Sequence, residues 1–439
     1  MLVAAGLEWR QEKLTTRDDP DTAKLSNIIW APGMDHSAHP PMDATRNVSE
    51  AYAELVVPLL SDAPLAHKLT VEGAYRYSHY NDNPATDTWK VGFNWAPVPG
   101  LTVRGAKSYS VRVPNFGELF SPVGVQNLGS IADPCEAALI NQDRDRAANC
   151  AATVPGWTGP LPDANLNAPR IFTGGNPNLT PETGDTHSFG VVLQPSFVPG
   201  FDLTVDYWAI DIENVVTSIA YTTIMNNCVN ASGGPDMGYC RFVHRHATDG
   251  PGHLAGQVDY VEAQFANLAA RRSRGIDYSA NYRRPLGEGV LRLSFMGSQL
   301  LEQTTIAQVG GTGSDAAGQW NNPKFRGTLT AGYEIGRFRL GLNTTYTSAS
   351  RFNINDQSDE TREMSEVPAY FNHNLSVTFS PTDQYSVQFG VRNFTNNRID
   401  HPVLQWTYAG PNQTEGNAQG VAFMDAVGRY FFLTLKADF

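Results

Sequence analysis

The sequence predicts an all-β protein, an antiparallel β-barrel that crosses a membrane. The first observation is side-chain alternation over segments of about 11 to 14 residues. Such segments are longer than the usual strand of about 5–6 residues and fit a tilted bilayer crossing. The second observation is that long and short connections follow one another in turn. The third is that aromatic residues cluster near the segment ends, as in the interfacial girdles of membrane barrels.

The alternation separates apolar from polar side chains. In the segment 67–79, Leu69 and Val71 share one face, whereas Lys68 and Arg76 share the other. Exchanging the faces would put both cations in hydrocarbon, at about 2–4 kcal/mol each near the midplane. The same separation recurs in 289–302, 337–349 and 181–194. Its apolar face includes Leu291, Leu293, Phe338, Leu340 and Leu342, and its polar face includes Arg292, Ser294, Arg339, Asn343 and Thr345.

Fourteen strands are predicted in this way. They are 2–14, 47–58, 67–79, 86–96, 101–112, 181–194, 201–213, 272–284, 289–302, 324–335, 337–349, 369–380, 384–395 and 427–439.

The connections between them are alternately short and long. The short ones are 59–66, 97–100, 195–200, 285–288, around 336, and 381–383; the long ones are 15–46, 113–180, 214–271, 303–323, 350–368 and 396–426. Only 80–85 is short where a long one is due. Membrane barrels have tight turns at one end and long loops at the other. The alternative is a soluble antiparallel sheet with one solvated face.

Composition limits the function. The chain has 439 residues, 41% of them hydrophobic, and a mean hydropathy of −0.32. No run of 18 apolar residues exists, so a transmembrane helix is not predicted. The net charge of −12 argues against a nucleic-acid partner. The first ten residues contain no basic region followed by an apolar run, so they do not predict a signal peptide. We therefore expect the sequence to be part of a longer protein.

Five short motifs resemble those of TonB-dependent outer-membrane receptors, and they occur in the order of that family. They begin at Arg112 (RVPNFGELF), Asn176 (NPNLTPET), Arg274 (RGID), Arg392 (RNFTN) and Gly428 (GRYFF). The motif positions singled out are Arg112, Pro114, Asn115, Glu118, Leu119, Phe120, Asn176, Pro177, Asn178, Leu179, Pro181, Glu182, Arg274, Gly275, Asn393 and Phe439.

The resemblance implies a fold and a set of partners. The family barrel has about 22 strands and a plugged lumen, so residues 1–439 would form its C-terminal part, without the plug domain, the TonB-contacting segment and about eight strands. The implied partners are outer-membrane lipid, the TonB complex through the missing plug, and the assembly machinery that reads a last strand ending in Phe439. Arg112, Glu118, Arg170 and Glu182 are interpreted as lumen or rim residues.

The implied function is active uptake of a scarce small molecule or oligosaccharide across a Gram-negative outer membrane. The connections 113–180 and 214–271 would capture it; a siderophore, cobalamin or an oligosaccharide would each fit. The alternatives are a passive porin-like channel and an extracellular β-adhesin. The sequence contains no nucleophile elbow, phosphate loop or zinc signature, so neither a catalytic site nor a cofactor is predicted.

The four cysteines fall in those two connections. Outside the membrane disulfides are expected, and four cysteines allow three pairings. The local pairing joins Cys135 to Cys150 and Cys228 to Cys240. It would stiffen the capture loops or only stabilise them, and the spacing does not suit a metal site.

Histidines and acidic residues give two weaker hypotheses. His244 and His246 form a His-x-His pair, and Asp35, His36 and His39 lie in the first long connection. A metal or a bound iron complex is possible at either place, but solvated loop histidines are favoured. The acidic groups are Asp18, Asp19, Asp21, Asp356, Asp359 and Glu360. For these groups solvation is favoured over calcium or substrate contact.

Overall fold

The computed structural model describes most of the chain. The described residues are 1–17, 41–127, 132–162, 170–306, 313–319, 321–351, 366–397 and 427–438.

A single antiparallel wall of fourteen consecutive strands dominates the fold. Its strands are β1 (Leu2–Thr16), β2 (Met42–Ala63), β3 (Ala66–Tyr80), β4 (Thr86–Val98), β5 (Leu101–Arg112), β8 (Glu182–Leu193), β9 (Phe201–Ser218), β12 (Phe265–Leu286), β13 (Gly289–Ile306), β15 (Phe325–Ile335), β16 (Phe338–Thr347), β19 (Tyr370–Phe379), β20 (Tyr385–Arg392) and β21 (Tyr430–Ala437). Each pairs with the next strand of this series, and the two-residue β14 (Ser314–Asp315) pairs with β13.

The fourteen predicted strands are confirmed, and the short 81–85 connection is present. β2 and β12 are longer than predicted, at 22 residues each. The outer part of β12 pairs with the end of β9, from Phe265 opposite Ser218, through two register shifts. Backbone pairing therefore continues beyond the residues whose side chains alternate, so the alternation does not predict where these strands end. β20 ends earlier than predicted, because Asn393 has a φ of 46° and leaves the strand conformation.

The two faces of the wall differ as predicted. Leu69, Val71, Leu291 and Leu293 all lie outside the buried core. In β21 the outward side chains Phe431, Leu433 and Leu435 are 64%, 65% and 72% exposed. Leu433 lies opposite Phe389, so neighbouring strands continue one apolar surface. An apolar surface of this extent indicates a face made for lipid.

The other face is polar and internally paired. Glu50 is 7% exposed, and its carboxylate accepts hydrogen bonds from Ser78, from Arg10 (2.5 Å) and from Arg76 (3.2 Å). Arg104 binds Asp206 through two hydrogen bonds across β5 and β9. The wall therefore has polar pairs on its inner side, where a globular domain would have an apolar core.

β1 and β21 are the two edges of the described wall. β1 pairs only with β2, and β21 only with β20. No described strand covers either outer edge.

The two longest connections fold into a unit of their own at the outer end, the end that carries the long connections. We call the described residues 113–127, 132–162, 170–181 and 219–264 the cap. Its elements are α1 (Phe116–Phe120), β6 (Gly124–Asn127), α2 (Arg146–Thr153), β7 (Arg170–Thr173), α3 (Tyr221–Asn230), α4 (Met237–Cys240), β10 (Val243–Arg245) and β11 (Val258–Glu262). Their strands form one sheet in the order β10-β11-β7-β6.

Two further strands, β17 (Ser350–Arg351) and β18 (Glu366–Val367), form a small separate pair. Among the described helices, none combines the length and apolar character that a membrane crossing needs.

An arginine at the centre of β16 tests which face meets lipid. Leu342 lies on the apolar face between Ala331 and Leu375, and its neighbour Asn343 lies on the polar face. We expect Leu342→Arg to destabilise the barrel by about 2–4 kcal/mol, because a cation near the midplane loses its hydration. Urea unfolding in phospholipid vesicles measures the change.

The matched control is Asn343→Arg, which places the same charge one residue away. This substitution removes the hydrogen bond to Thr330 (3.1 Å), so we expect it to lower the stability by about 1 kcal/mol. Equal losses for the two variants would contradict the assignment of the faces.

Candidate functional site

Arg112 joins the end of the wall to the base of the cap. Its guanidinium donates to Glu182 at 2.7 and 2.6 Å and to Glu118 at 2.9 and 3.1 Å. Glu182 also accepts the backbone N–H of Val216 at 2.7 Å. One arginine thereby fixes β5, α1, β8 and β9 at the point where both long connections leave the wall.

The residues after Arg112 begin α1. The Asn115 side chain accepts the N–H of Glu118 at 2.9 Å, and Glu118 accepts the N–H of Asn115 at 2.8 Å. This reciprocal arrangement is a capping box. Leu119 is 1% exposed and packs with Leu179 and Val216, so the asparagine starts the helix and the leucine anchors it.

Pro114 and Phe120 complete this first motif. The carbonyl of the buried Pro114 accepts a hydrogen bond at 2.7 Å from Arg46, which also binds Asp82. Phe120 packs against the Leu119 cluster. The short 81–85 connection is thus tied to the start of the cap.

The second motif closes the cap against β12. Asn176 donates to the carbonyl of Phe265 at 2.9 Å and accepts the N–H of Asn178 at 2.9 Å. Its own N–H donates to the carbonyl of Glu118 at 2.8 Å. A Cβ on Gly175 would lie 2.6 Å from the Ser121 nitrogen, so only glycine fits there. Pro177 and Pro181 lie on either side of the buried Leu179, before β8 begins.

The remaining motifs also occupy structural positions. Arg274 contacts Glu302 (2.9 Å) and Asp211 (3.5 Å) across three strands, and a Cβ on Gly275 would lie 2.5 Å from the Trp208 ring. Asn393 is fully buried and makes two 2.9 Å hydrogen bonds with the backbone of Asn397. Phe439 lies outside the described residues, as do Asp18, Asp19, Asp21, Asp35, His36, His39, Asp356, Asp359 and Glu360.

The cap contains two disulfides, Cys135–Cys150 and Cys228–Cys240. Of the three possible pairings, the local one is therefore confirmed. Both bridges belong to one apolar core to which both connections contribute. Its buried members include Ile140, Val154, Leu161 and Ile171 from the first connection and Ile224, Met225, Val229, Val258 and Val261 from the second.

Polar side chains also join the two connections. Arg245 binds Asp133 at 2.5 and 3.0 Å, and the two side chains are only 6% and 5% exposed. Arg146 donates to Asn230 at 2.8 Å and to the carbonyl of Leu139 at 2.6 Å. Burial lowers the pKa of Arg146 from its usual value. The two long connections therefore form a single folded body.

An open cavity of about 1200 Å³ lies along the wall. Strands from β9 to β21 line it, so the wall curves around it. Its hydroxyl and amide side chains include Thr204, Ser279, Ser298, Thr328, Asn372 and Asn374. Asp206 is paired with Arg104 and Asp277 with Ser298 (2.6 Å). The Oδ1 of Asn372 is buried without a hydrogen-bond partner in the described structure. The lining also includes Arg326 and Arg392, so the cavity combines neutral hydrogen-bonding groups with two aspartates and two arginines.

A family model for the TonB dependent receptor-like β-barrel matches residues 2–394. The chain belongs to the TonB-dependent receptor family. Members of this family are outer-membrane transporters that bind small molecules and interact with TonB, and the matched part is their barrel. A comparison with curated protein sequences finds no match.

Solved TonB-dependent receptors have the same fold. The siderophore receptor PirA from Acinetobacter baumannii is 13% identical with a TM-score of 0.59, and 52% of its chain is covered. The ferric enterobactin receptor PfeA from Pseudomonas aeruginosa is 16% identical with a TM-score of 0.60, with 51% covered. The FrpB iron transporter from Neisseria meningitidis is 12% identical with a TM-score of 0.52, with 52% covered. In each case the whole of this chain is covered, so it spans about half the length of these receptors.

Three histidines of this receptor barrel lie in the cap, namely His244, His246 and His253. His244 is in β10 and stacks on Tyr260, whereas His246 stacks on His253, with ring centroids 3.6 Å apart. Burial lowers the pKa of His246 from its usual value and so favours the neutral imidazole. In the described ranges, no group of three or more His, Cys, Asp or Glu side chains is arranged to hold a metal ion.

The fold of the cap differs from the prediction. Residues 113–180 and 214–271 are predicted as connections, whereas the structure places four helices and a four-stranded sheet there. Arg170, interpreted as a rim residue, lies in that sheet and pairs with Asp259 at 2.6 Å. A useful signal was the Val-x-x-Val spacing of Val258 and Val261, which are 2% and 0% exposed, but five residues are too few to reveal a period.

Proposed function

We propose that residues 1–439 form one barrel domain of an outer-membrane receptor that takes up a scarce substrate with energy from the TonB complex. A siderophore, cobalamin or an oligosaccharide is the candidate cargo, and the solved receptors of this fold include a siderophore receptor and a receptor in complex with enterobactin. The observation that carries the proposal is the wall itself, which is apolar outside and polar inside and has a folded cap over its outer end.

The proposal assigns a role to each partner. Outer-membrane lipid covers the apolar face, the cap captures the substrate, and the cavity behind it receives the substrate. The TonB complex acts through a plug domain, which we place outside this sequence. The assembly machinery recognises the last strand, β21. Motif residues such as Arg112 and Asn393 hold the cap and the strand ends in place.

Lipid also requires that both wall edges be paired, since an open edge does not persist in hydrocarbon. β1 rises towards the outer end and β21 descends from it, so the two edges are antiparallel. We propose that they close either on each other or on an even number of further strands.

Membrane fractionation tests the proposed location. The protein should be recovered in the detergent extract of the outer membrane. It should also show heat-modifiable mobility on gels, as closed barrels do. Recovery in the aqueous phase without detergent would refute it and would favour the adhesin alternative. If the barrel is in the membrane, loss of substrate accumulation in cells that lack TonB separates active uptake from a passive channel.

A further inference from the structure

The outer face of the cap sheet carries aromatic and charged side chains together. Arg170, Tyr260 and His244 are cross-strand neighbours on β7, β11 and β10. Phe172 and Glu262 lie opposite each other, one alternation further along the same face. We call these five residues the cap platform. The reverse face carries Ile171 and Val261, which are buried in the cap core.

The rings of the cap platform are fixed against one another. Phe172 meets Tyr260 edge to face with centroids 5.0 Å apart, and His244 stacks on Tyr260 at 4.1 Å. The Arg170 guanidinium lies 5.7 Å from the Phe172 centroid and 5.8 Å from that of Tyr260. Such contacts hold the rings as a preformed surface.

Polar side chains surround these rings, and some of them remain partly exposed. Arg170 gives one nitrogen to Asp259, and its side chain is 47% exposed. His244 Nε2 lies 2.8 Å from Glu262 Oε1, and both side chains are 36% exposed. That nitrogen is itself buried against Glu262. The exposed parts of Glu262 and Arg170 are therefore the polar groups that a ligand on the platform can reach.

A cleft continues from the platform towards the wall. It has a volume of about 320 Å³ and is lined by Glu262, Phe242, Arg241, Gln264 and Asn178, among others. Glu262 belongs both to the platform and to this cleft. The volume is at the lower end for a ligand pocket, which suits one sugar-sized unit of a longer molecule.

The charge of the surroundings selects against anions. Arg170, the one cation of the platform, already faces Asp259, and Glu262 adds a second carboxylate beside Arg241 of the cleft. The cap as defined contains nine Asp or Glu residues, five arginines and no lysine. A field of this sign repels an anionic metal chelate and leaves a neutral ligand unaffected.

From this geometry we propose that the cap platform and its cleft bind a neutral, hydroxyl-rich ligand, a carbohydrate. This rests on the proposed uptake function and names its substrate class. The C–H face of a sugar ring packs on Phe172 and Tyr260, while its hydroxyls bond to Glu262 and Arg170. The two disulfides belong to the cap core on the reverse face of the sheet, and a preformed surface lowers the entropy cost of binding.

Ligand titration of the whole protein in detergent micelles tests the proposal. The probes are linear glucan, xylan and chitin hexasaccharides as neutral ligands, and ferric enterobactin as an anionic chelate. We expect at least one hexasaccharide to bind and the chelate not to bind. Tyr260→Ala should weaken the hexasaccharide affinity at least tenfold, and the isosteric Glu262→Gln should weaken it about threefold to tenfold.

The matched control is Asp143→Asn, which removes the same charge from the cap away from the platform and should leave the affinity unchanged. Non-reducing gels and near-ultraviolet circular dichroism establish that each variant cap is oxidised and folded. Glu262→Gln keeps the test decisive if Tyr260→Ala does not fold. Binding of ferric enterobactin alone, binding of no hexasaccharide, or full affinity in folded Tyr260→Ala would each overturn the proposal. Detergent partition would still hold in those cases, so the location proposed above is tested separately.

Discussion

Replacing all four cysteines with serine should unfold the cap and leave the wall intact. The bridges join residues 15 and 12 positions apart. In the chain-entropy account each contributes about 3 kcal/mol, so together they supply about 6 kcal/mol. This is a large part of the 5–15 kcal/mol that stabilises an ordinary domain. Hydrogen exchange should show lost protection in Arg146–Thr153 and Tyr221–Asn230, the helices α2 and α3.

The separate pair variants serve as internal controls. Cys135→Ser with Cys150→Ser, and Cys228→Ser with Cys240→Ser, should each remove about half of the effect. Strands such as β15 and β16 should keep their protection in every variant, because no cap residue packs within their pairing. Unchanged exchange in α2 and α3 of the fourfold variant would contradict the view that the bridges stabilise the cap.

The second large effect is expected at the buried pair of Arg245 and Asp133. Arg245→Ala leaves the Asp133 carboxylate, which is 5% exposed, without its bidentate partner. Breaking a buried ion pair in this way costs about 3–5 kcal/mol, mainly because the remaining charge is desolvated. Arg245 also donates to the carbonyl of Gly256 at 2.8 Å, so that bond is lost as well. Limited proteolysis across the cap, followed over a urea series, measures the loss.

Arg144→Ala is the matched control for this prediction. Its side chain is 84% exposed and pairs with Asp145 at 3.1 Å. Exposed pairs contribute about 0–1 kcal/mol, so this variant should resist proteolysis almost as the parent does. Replacing both members of the buried pair, with Arg245→Met and Asp133→Leu, should recover most of the stability. An Arg245→Ala cap as resistant as Arg144→Ala would show that the pair is not structural.

The wall could be predicted from sequence because its determinants are local. Within each strand, apolar side chains alternate with polar ones, as Leu342 and Asn343 illustrate, and this alternation predicts which face meets lipid. Backbone pairing between consecutive strands then follows from short turns. The motif residues were found by resemblance, but their contacts were not. Nothing around Arg112 in the sequence indicates that it binds both Glu118 and Glu182, which is 70 residues further along.

The sequence by itself determined that the side chains of each strand face lipid and a polar interior in turn. It also determined that the two longest connections lie at the same end. Only the tertiary structure decided that these connections fold together. Ile171 and Val261 are separated by 90 positions yet lie side by side in parallel strands. The physical reason is that a bilayer imposes a period on each strand separately, whereas the cap core and the cap platform exist only where distant segments meet.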